Sequence, residues 1–256
     1  MSKRSDKRRK KRIIVWSSVA AVLLMLVIGC GRYLGDYYRA DMTVIEGYMT
    51  EHPVEKQALS EKVTVYCPEG EEFPVNGLIF YPGGKVEALA YEPLLKALAS
   101  EGMFCVLVEM PFNLAVLDMD AADGIPAQYP QIENWYIGGH SLGGSMAASY
   151  LSKHAEEYDG LVLLGSYSTA DLSQSELSVL SVYGSNDLVM NRDKYQEYRS
   201  NLPADFCEIV IDGGCHAYFG MYGPQDGDGI PTITNEEQID LTTQAFISMV
   251  TEDDAP

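Results

Sequence analysis

The pentapeptide Gly139-His140-Ser141-Leu142-Gly143 lies between the apolar run Trp135 to Ile137 and the small-residue stretch Gly144 to Tyr150. That order predicts a strand, a tight turn and a helix, and few folds accommodate so sharp a reversal with a serine at its apex. The turn forces the serine into a strained backbone conformation. Residues two before and two after it must then lack side chains if strand and helix are to approach each other. Gly139 and Gly143 meet that demand.

The remainder of the chain repeats the same alternation. Apolar, branched runs occur at Val63 to Tyr66, Gly77 to Tyr81, Phe104 to Glu109, Leu161 to Leu164, Ser178 to Tyr183 and Phe206 to Ile211. Between them, helical stretches are expected at Ala88 to Glu101, in part of Asp118 to Gln128, and at Gly144 to Glu157, Arg192 to Ser200 and Asn235 to Thr251. Continuous apolar strands separated by helices predict an α/β fold, a mostly parallel, doubly wound sheet with helices on both faces. In such sheets, sites form at the C-terminal edges of the strands.

A serine hydroxyl needs a neighbouring base before it can act as a nucleophile. After such an elbow the partners follow in the order acid, then histidine. Of four histidines, His52 and His140 do not follow Ser141, and His154 lies only a helix length beyond it. His216, in Gly213-Gly214-Cys215-His216 after the last strand run, is the expected base. The acid should lie between them and hold the imidazole tautomer. Asp187 follows a strand run and the turn Gly184-Ser185-Asn186; its bland alternative is a turn carboxylate capping the next helix. The oxyanion of a tetrahedral intermediate needs two backbone donors. Leu142 offers one, and Gly84 or Lys85, in the loop Pro82-Gly83-Gly84-Lys85, the other.

Three segments carry a family resemblance: Phe80 to Glu87, Trp135 to Gly144, and Tyr183-Gly184-Ser185-Asn186-Asp187 through His216 to Gln225. Over roughly residues 60 to 250 the chain resembles the alpha/beta-hydrolases, and within them the small, capless bacterial branch related to dienelactone hydrolases and carboxylesterases. The resemblance implies hydrolysis of a carboxylic ester or related acyl bond through an acyl-serine, with Ser141, Asp187 and His216 as the triad. Dienelactone hydrolases carry a cysteine nucleophile, so the serine here argues against dienelactone itself. Acyl transfer or peptide cleavage would use the same triad. A catalytically silent domain that binds a surface ligand is the alternative from another class.

Only about a dozen residues separate the runs at Leu161 to Leu164 and Ser178 to Tyr183, so no large cap domain is expected there and the site should be open to a small ester. Phe112, Tyr218 and Phe219 are candidates for its walls.

Residues 1–12 hold eight Lys or Arg and one Asp, and Ile13 to Gly29 follow with no charge over seventeen residues. This predicts a basic n-region at 1–12, a transmembrane or signal-anchor segment at 13–34, a stalk at 35–60 and the catalytic domain at 61–256. The positive-inside rule puts that domain on the extracytoplasmic side of the cell membrane. Val27-Ile28-Gly29-Cys30 approximates a lipoprotein signal, so lipidation at Cys30 stays open as the alternative anchor. Beyond the basic head, ten Lys or Arg face 36 Asp or Glu, which argues against a nucleic-acid partner. The five cysteines have no zinc-like spacing; Cys67, Cys207 and Cys215 are left for a disulfide, and Cys207 with Cys215 is conceivable across a strand end. Asp226-Gly227-Asp228-Gly229 lacks the distal glutamate of a calcium loop and reads as a turn. No metal or cofactor is expected.

Overall fold

A computed structural model describes residues 2–48, 50, 52–70 and 73–253, without the side chains of residues 2–12, 15, 252 and 253. The basic side chains expected at 1–12 therefore lie outside the described residues. The chain forms two compact units, Met1–Tyr37 and Tyr38–Pro256. The first is one helix, α1 (Ser2–Gly35). Its portion Trp16–Gly35 is long and apolar enough to cross a membrane. Leu23, Leu24, Met25, Leu26 and Val27 all stand exposed along it, an apolar surface that water disfavours and lipid does not.

The second unit is built on an eight-stranded sheet. Its strands are β1 (Val54–Ala58), β2 (Val63–Pro68), β3 (Asn76–Tyr81), β4 (Phe104–Val108), β5 (Asn134–His140), β6 (Gly160–Leu164), β7 (Ser178–Gly184) and β8 (Cys207–Ile211). The spatial order is β1-β2-β4-β3-β5-β6-β7-β8. From β4 to β8 every pairing is parallel, while β1 and β2 run antiparallel at one edge. The strands from β3 to β7 are buried almost throughout, as crossover helices on both faces require.

Helices α2 (Met42–Gly47), α3 (Glu92–Ser100), α4 (Ile125–Gln128), α5 (Leu142–His154), α6 (Arg192–Tyr198) and α7 (Asn235–Asp253) complete the unit. On one face Leu94, Leu95 and Leu98 of α3 and Ile239, Phe246 and Val250 of α7 join Leu78, Phe80, Leu107 and Leu180 of the sheet in one apolar core. On the other, Ala147, Ala148 and Leu151 of α5 pack with Ile79, Val106, Ile137 and Leu163. The alternation of strand residues between the two cores follows from the period of two. No large cap is inserted between β6 and β7.

The stretch expected as a stalk is instead part of the folded unit from Tyr38 onward. Tyr38 bridges Val86, its N–H donates to Lys85 O at 2.8 Å, and its carbonyl accepts from Glu87 N at 2.9 Å. Asp41 N donates to Met221 O at 2.9 Å, and Asp226 N donates to Tyr38 Oη at 3.1 Å. Further on, β1 pairs with β2 from Val54↔Pro68 to Ala58↔Thr64. The strand escaped sequence analysis because its residues, VEKQA, are mostly exposed and carry no apolar alternation. The conceivable Cys207–Cys215 bridge is not formed, and all five cysteines are free thiols. Cys207 opens β8 and Cys215 follows its far end, so the extended strand holds them apart.

Candidate active site

Strand β5 ends at His140 and α5 begins at Leu142, which leaves Ser141 as the whole connection. Its φ of 52° and ψ of −120° lie outside the regions comfortable for a residue with a Cβ. The strain is held from both sides. Ser141 N donates to Leu164 O at 2.9 Å, and its carbonyl accepts from Ser166 Oγ at 2.7 Å. Ser145 Oγ lies 3.1 Å from Ser166 Oγ and donates to Tyr167 O at 2.8 Å, which ties the elbow to the loop after β6. The flanking glycines are needed for the predicted reason. A Cβ on Gly143 would lie 2.1 Å from Tyr81 O, and one on Gly139 2.3 Å from the same atom.

Asp187 follows the C-terminal end of β7 and His216 that of β8. Asp187 Oδ2 accepts from His216 Nδ1 at 2.8 Å, and both residues are about 1% exposed. Its other oxygen, Oδ1, accepts from Val189 N at 2.9 Å and Met190 N at 2.8 Å. Turn capping and histidine orientation are therefore shared between two oxygens of one carboxylate. The helix α6 has its own cap, Asn191, whose side chain accepts from Lys194 N. With Nδ1 donating to the carboxylate, the neutral imidazole carries its lone pair on Nε2. Among the described residues that buried Nε2 has no hydrogen-bond partner, and so Ser141 Oγ does not donate to it in this arrangement. Serine–histidine contacts often tighten only when substrate enters.

Gly165 sits under this pair with φ +51°; a Cβ there would lie 2.9 Å from His216 Nδ1 and 3.2 Å from Asp187 Oδ2. Asp228 secures the pair from above. Its Oδ1 accepts from His216 N at 3.2 Å and Gly229 N at 2.8 Å, with a longer contact to Leu188 N at 3.4 Å. Its Oδ2 accepts from Ala217 N at 2.8 Å. One carboxylate thus joins the residue after Asp187 to the backbone of His216. Asp228, expected only as a turn residue, carries in its spacing no signal of the partner loop.

The loop after β3, expected to supply an oxyanion donor, meets the elbow directly, since a Cβ on Gly84 would lie 2.9 Å from Leu142 Cδ2. The choice between Gly84 and Lys85 is narrowed by their hydrogen bonds. Lys85, at φ 60°, donates its N–H to Asn113 O at 2.7 Å. Among the described residues the amides of Gly84 and Leu142 donate to no protein group.

Of the expected wall residues, Phe219 is corrected: it is fully buried in the core, with its ring 5.5 Å from that of His140. It belongs to a single 3-10 turn, Ala217–Phe219, which puts Ala217 and Phe219 inward and leaves Tyr218 half-buried. Phe112, at φ 53° and 61% exposed, stands on the loop whose Asn113 carbonyl holds Lys85. His154 is a surface group paired with Glu157 and stacked on Tyr150, and His52 is exposed. His140 is buried, its ring 4.4 Å from that of His216; burial, helped by the neighbouring His216, holds its pKa well below the usual histidine range. Among the described residues no group of three or more His, Cys, Asp or Glu side chains could hold a metal.

The order of the strands, the strained serine between β5 and α5, and an acid and histidine on the loops after later strands agree with a family assignment. The model of the alpha/beta hydrolase family matches residues 77–240, and the chain belongs to that family. Among curated proteins no match was found.

Proposed function

We propose that this alpha/beta hydrolase is a serine hydrolase that cleaves a carboxylic ester, or a related acyl bond, through an acyl-serine intermediate. The observation that carries the reading is a strained Ser141 on the elbow, whose neighbour His140 has its ring 4.4 Å from that of His216, together with a fully buried His216–Asp187 pair 2.8 Å apart. A buried imidazole oriented by a carboxylate is arranged to take a proton at Nε2 and to be stabilised as imidazolium.

In the first half-reaction Ser141 Oγ attacks the acyl carbon while its proton passes to His216 Nε2. The carbonyl oxygen becomes an oxyanion, received by the N–H groups of Leu142 and Gly84. Removing one such donor typically costs about 10²–10³ in rate. His216 then returns its proton to the departing alkoxide, which leaves as the alcohol. In the second half-reaction water attacks the acyl-serine, giving its proton to His216 Nε2, which passes it to Ser141 Oγ as the intermediate collapses, so that the acid is released and both the serine hydroxyl and the neutral imidazole are restored. Asp187 stays ionised throughout and holds the tautomer. Phe112 and Tyr218 are placed by this reading on the rim of the cleft.

Hydrolysis takes place on the extracytoplasmic side of a membrane, with α1 as the anchor. The basic head before an apolar helix supports this, through the positive-inside rule. Mass of the membrane-extracted chain tests it: an uncleaved N-terminus is expected, and a diacylglyceryl group on an N-terminal Cys30 would replace the helix with a lipid anchor.

The catalytic reading is tested on the full chain in detergent with p-nitrophenyl esters of short and medium acyl length, beside Ser141→Ala. Turnover and labelling by a fluorophosphonate are expected in the parent and absent in the variant. If the parent neither turns over esters nor takes the label, the domain is a silent binding module and the enzyme reading fails.

A further inference from the structure

Tyr91 immediately precedes α3 and is fully buried, and burial holds its hydroxyl proton far above the usual tyrosine pKa. The hydroxyl accepts from Gly83 N at 3.0 Å and lies 2.7 Å from His140 Nδ1. Gly83 is the neighbour of Gly84, and His140 is the neighbour of Ser141. One side-chain oxygen thus joins the two backbone segments that bear the oxyanion donors.

The proton can be placed by counting partners. If Tyr91 donates to His140 Nδ1, only His140 Nε2–H is left without a partner. If His140 Nδ1–H donated instead, both the tyrosine proton and the Nε2 lone pair would be orphaned. The first arrangement costs less, since each buried unpaired polar group carries a penalty of about 1–3 kcal/mol. A neutral His140 is also what its burial enforces.

The bridge matters because Gly83 and Gly84 have no side chains to fix the loop they form, and glycine samples backbone space freely. The far end of the loop is held by Lys85 N on Asn113 O and Val86 N on Gly83 O. Its near end is held by Tyr91. Space is left for nothing else, as a Cβ on Gly83 would lie 2.6 Å from Tyr91 Oη and 2.8 Å from His140 Nδ1. Oxyanion donors contribute to rate in proportion to how fixed they are before charge develops.

We infer that Tyr91 is a positioning residue for the oxyanion hole, a hydroxyl clasp that sets the Gly84 amide against the Leu142 amide through Gly83 and His140. This rests on the serine-hydrolase reading above. It predicts an effect on the transition state and little on ground-state binding.

The test uses the full chain in detergent as Tyr91→Phe, which keeps the ring and deletes both hydrogen bonds. A fall in kcat of about tenfold or more is expected, part of what losing a whole donor costs. KM should stay within about twofold, and the inhibition constant of a trifluoromethyl ketone, whose serine adduct places an oxyanion in the hole, should rise in step with the loss of kcat/KM. Should Tyr91→Phe fold poorly, a second pair decides. His140→Asn, which offers an acceptor near the Nδ1 position, should retain clearly more kcat than His140→Leu, which offers none. Unchanged kcat in Tyr91→Phe, or ketone binding that does not follow the rate, would overturn the clasp while leaving the hydrolase reading intact. An inactive, unlabelled parent would overturn both.

Discussion

Gly165 gives the sharpest test of how tightly the proposed acid–histidine pair is packed. Replacing it with alanine imposes two separable costs. Backbone strain comes first: at φ +51° a residue with a Cβ pays about 1–2 kcal/mol. Collision comes second, because the new Cβ falls 2.9 Å from His216 Nδ1, closer than carbon and nitrogen tolerate without movement. Neither partner can swing away freely, since both side chains are buried and Asp187 is bonded to two backbone amides as well as to the ring. The imidazole must therefore tilt or slide, and a misplacement of the order of 1 Å in a catalytic group costs about 10²-fold in rate. Gly102 supplies the control. It has φ +98° and nothing within 4 Å of its Cβ position, and it precedes β4 at the opposite edge of the sheet from the site. Gly102→Ala should pay the strain alone, lowering Tm by about 2–8 °C for a unit of this size with ester turnover unchanged. Gly165→Ala should lose more Tm than that and about 10²-fold in kcat/KM. The measurement is thermal unfolding and p-nitrophenyl ester kinetics on both variants. Full activity in Gly165→Ala would refute the close packing of the pair.

Asp228→Ala strips acceptors from the amides of His216, Ala217 and Gly229, so kcat should fall by about tenfold or more and Tm should drop with it, at about 1–3 kcal/mol for an abandoned buried partner; Asp228→Asn, still able to accept, should lie between, and steady-state kinetics will show whether it does. His140 should make the fold sensitive to mild acid. Because its folded pKa is depressed below the unfolded value of 6.5, the unfolded chain binds protons more readily, and stability is full above about pH 6.5 and falls as pH drops below it. The slope, read from urea midpoints between about pH 7.5 and 5, should approach 1.4 kcal/mol per pH unit and flatten in His140→Asn; parallel curves would show that another group is responsible. Truncation distinguishes tether from framework: a chain lacking residues 1–37 keeps the hydrogen bonds of Tyr38 and Asp41 to the loops after β3 and β8, whereas one lacking residues 1–41 loses them and should unfold at lower temperature with reduced turnover.

Much of the fold was legible because its decisive residues are neighbours in sequence. Strands β2 to β8 each announce themselves as an apolar run, and in β3 to β7 burial from both faces is what made those runs continuous. The elbow was legible for a stronger reason: contact with Tyr81 O forbids any Cβ at Gly139 and Gly143, so the geometry is written into residue identity. The edge strand β1 had no such mark. It is a strand because β2 offers it a ladder, and with four of its five residues exposed no hydrophobic period was needed. Phe219 misled for the converse reason. Aromatics at close spacing after a histidine fit a wall or a core equally well, and only the 3-10 turn decides which of them faces inward.

What stayed hidden in the site consists of bonds between groups far apart in the chain. Tyr91 and His140 are 49 positions apart, and Asp228 reaches back 40 positions to Leu188. A nucleophile and its base can be found from a motif and chain order because the chemistry restricts the residue types. A residue that positions them can be any group with a suitable hydrogen-bonding atom at the right place, and the fold alone determines which one arrives there. That asymmetry explains why Lys85 and Gly84 could not be separated by sequence: both have an amide, and the difference is that Asn113 turns its carbonyl toward one of them. In this chain the loops at the C-terminal edge of the sheet are cross-tied by Tyr91, Asp228 and the strap of residues 38–41, each joining segments from different strands. The strained serine itself is held by Leu164 O and Ser166 Oγ, since about 1–3 kcal/mol of local backbone cost persists only where the surroundings over-determine the conformation.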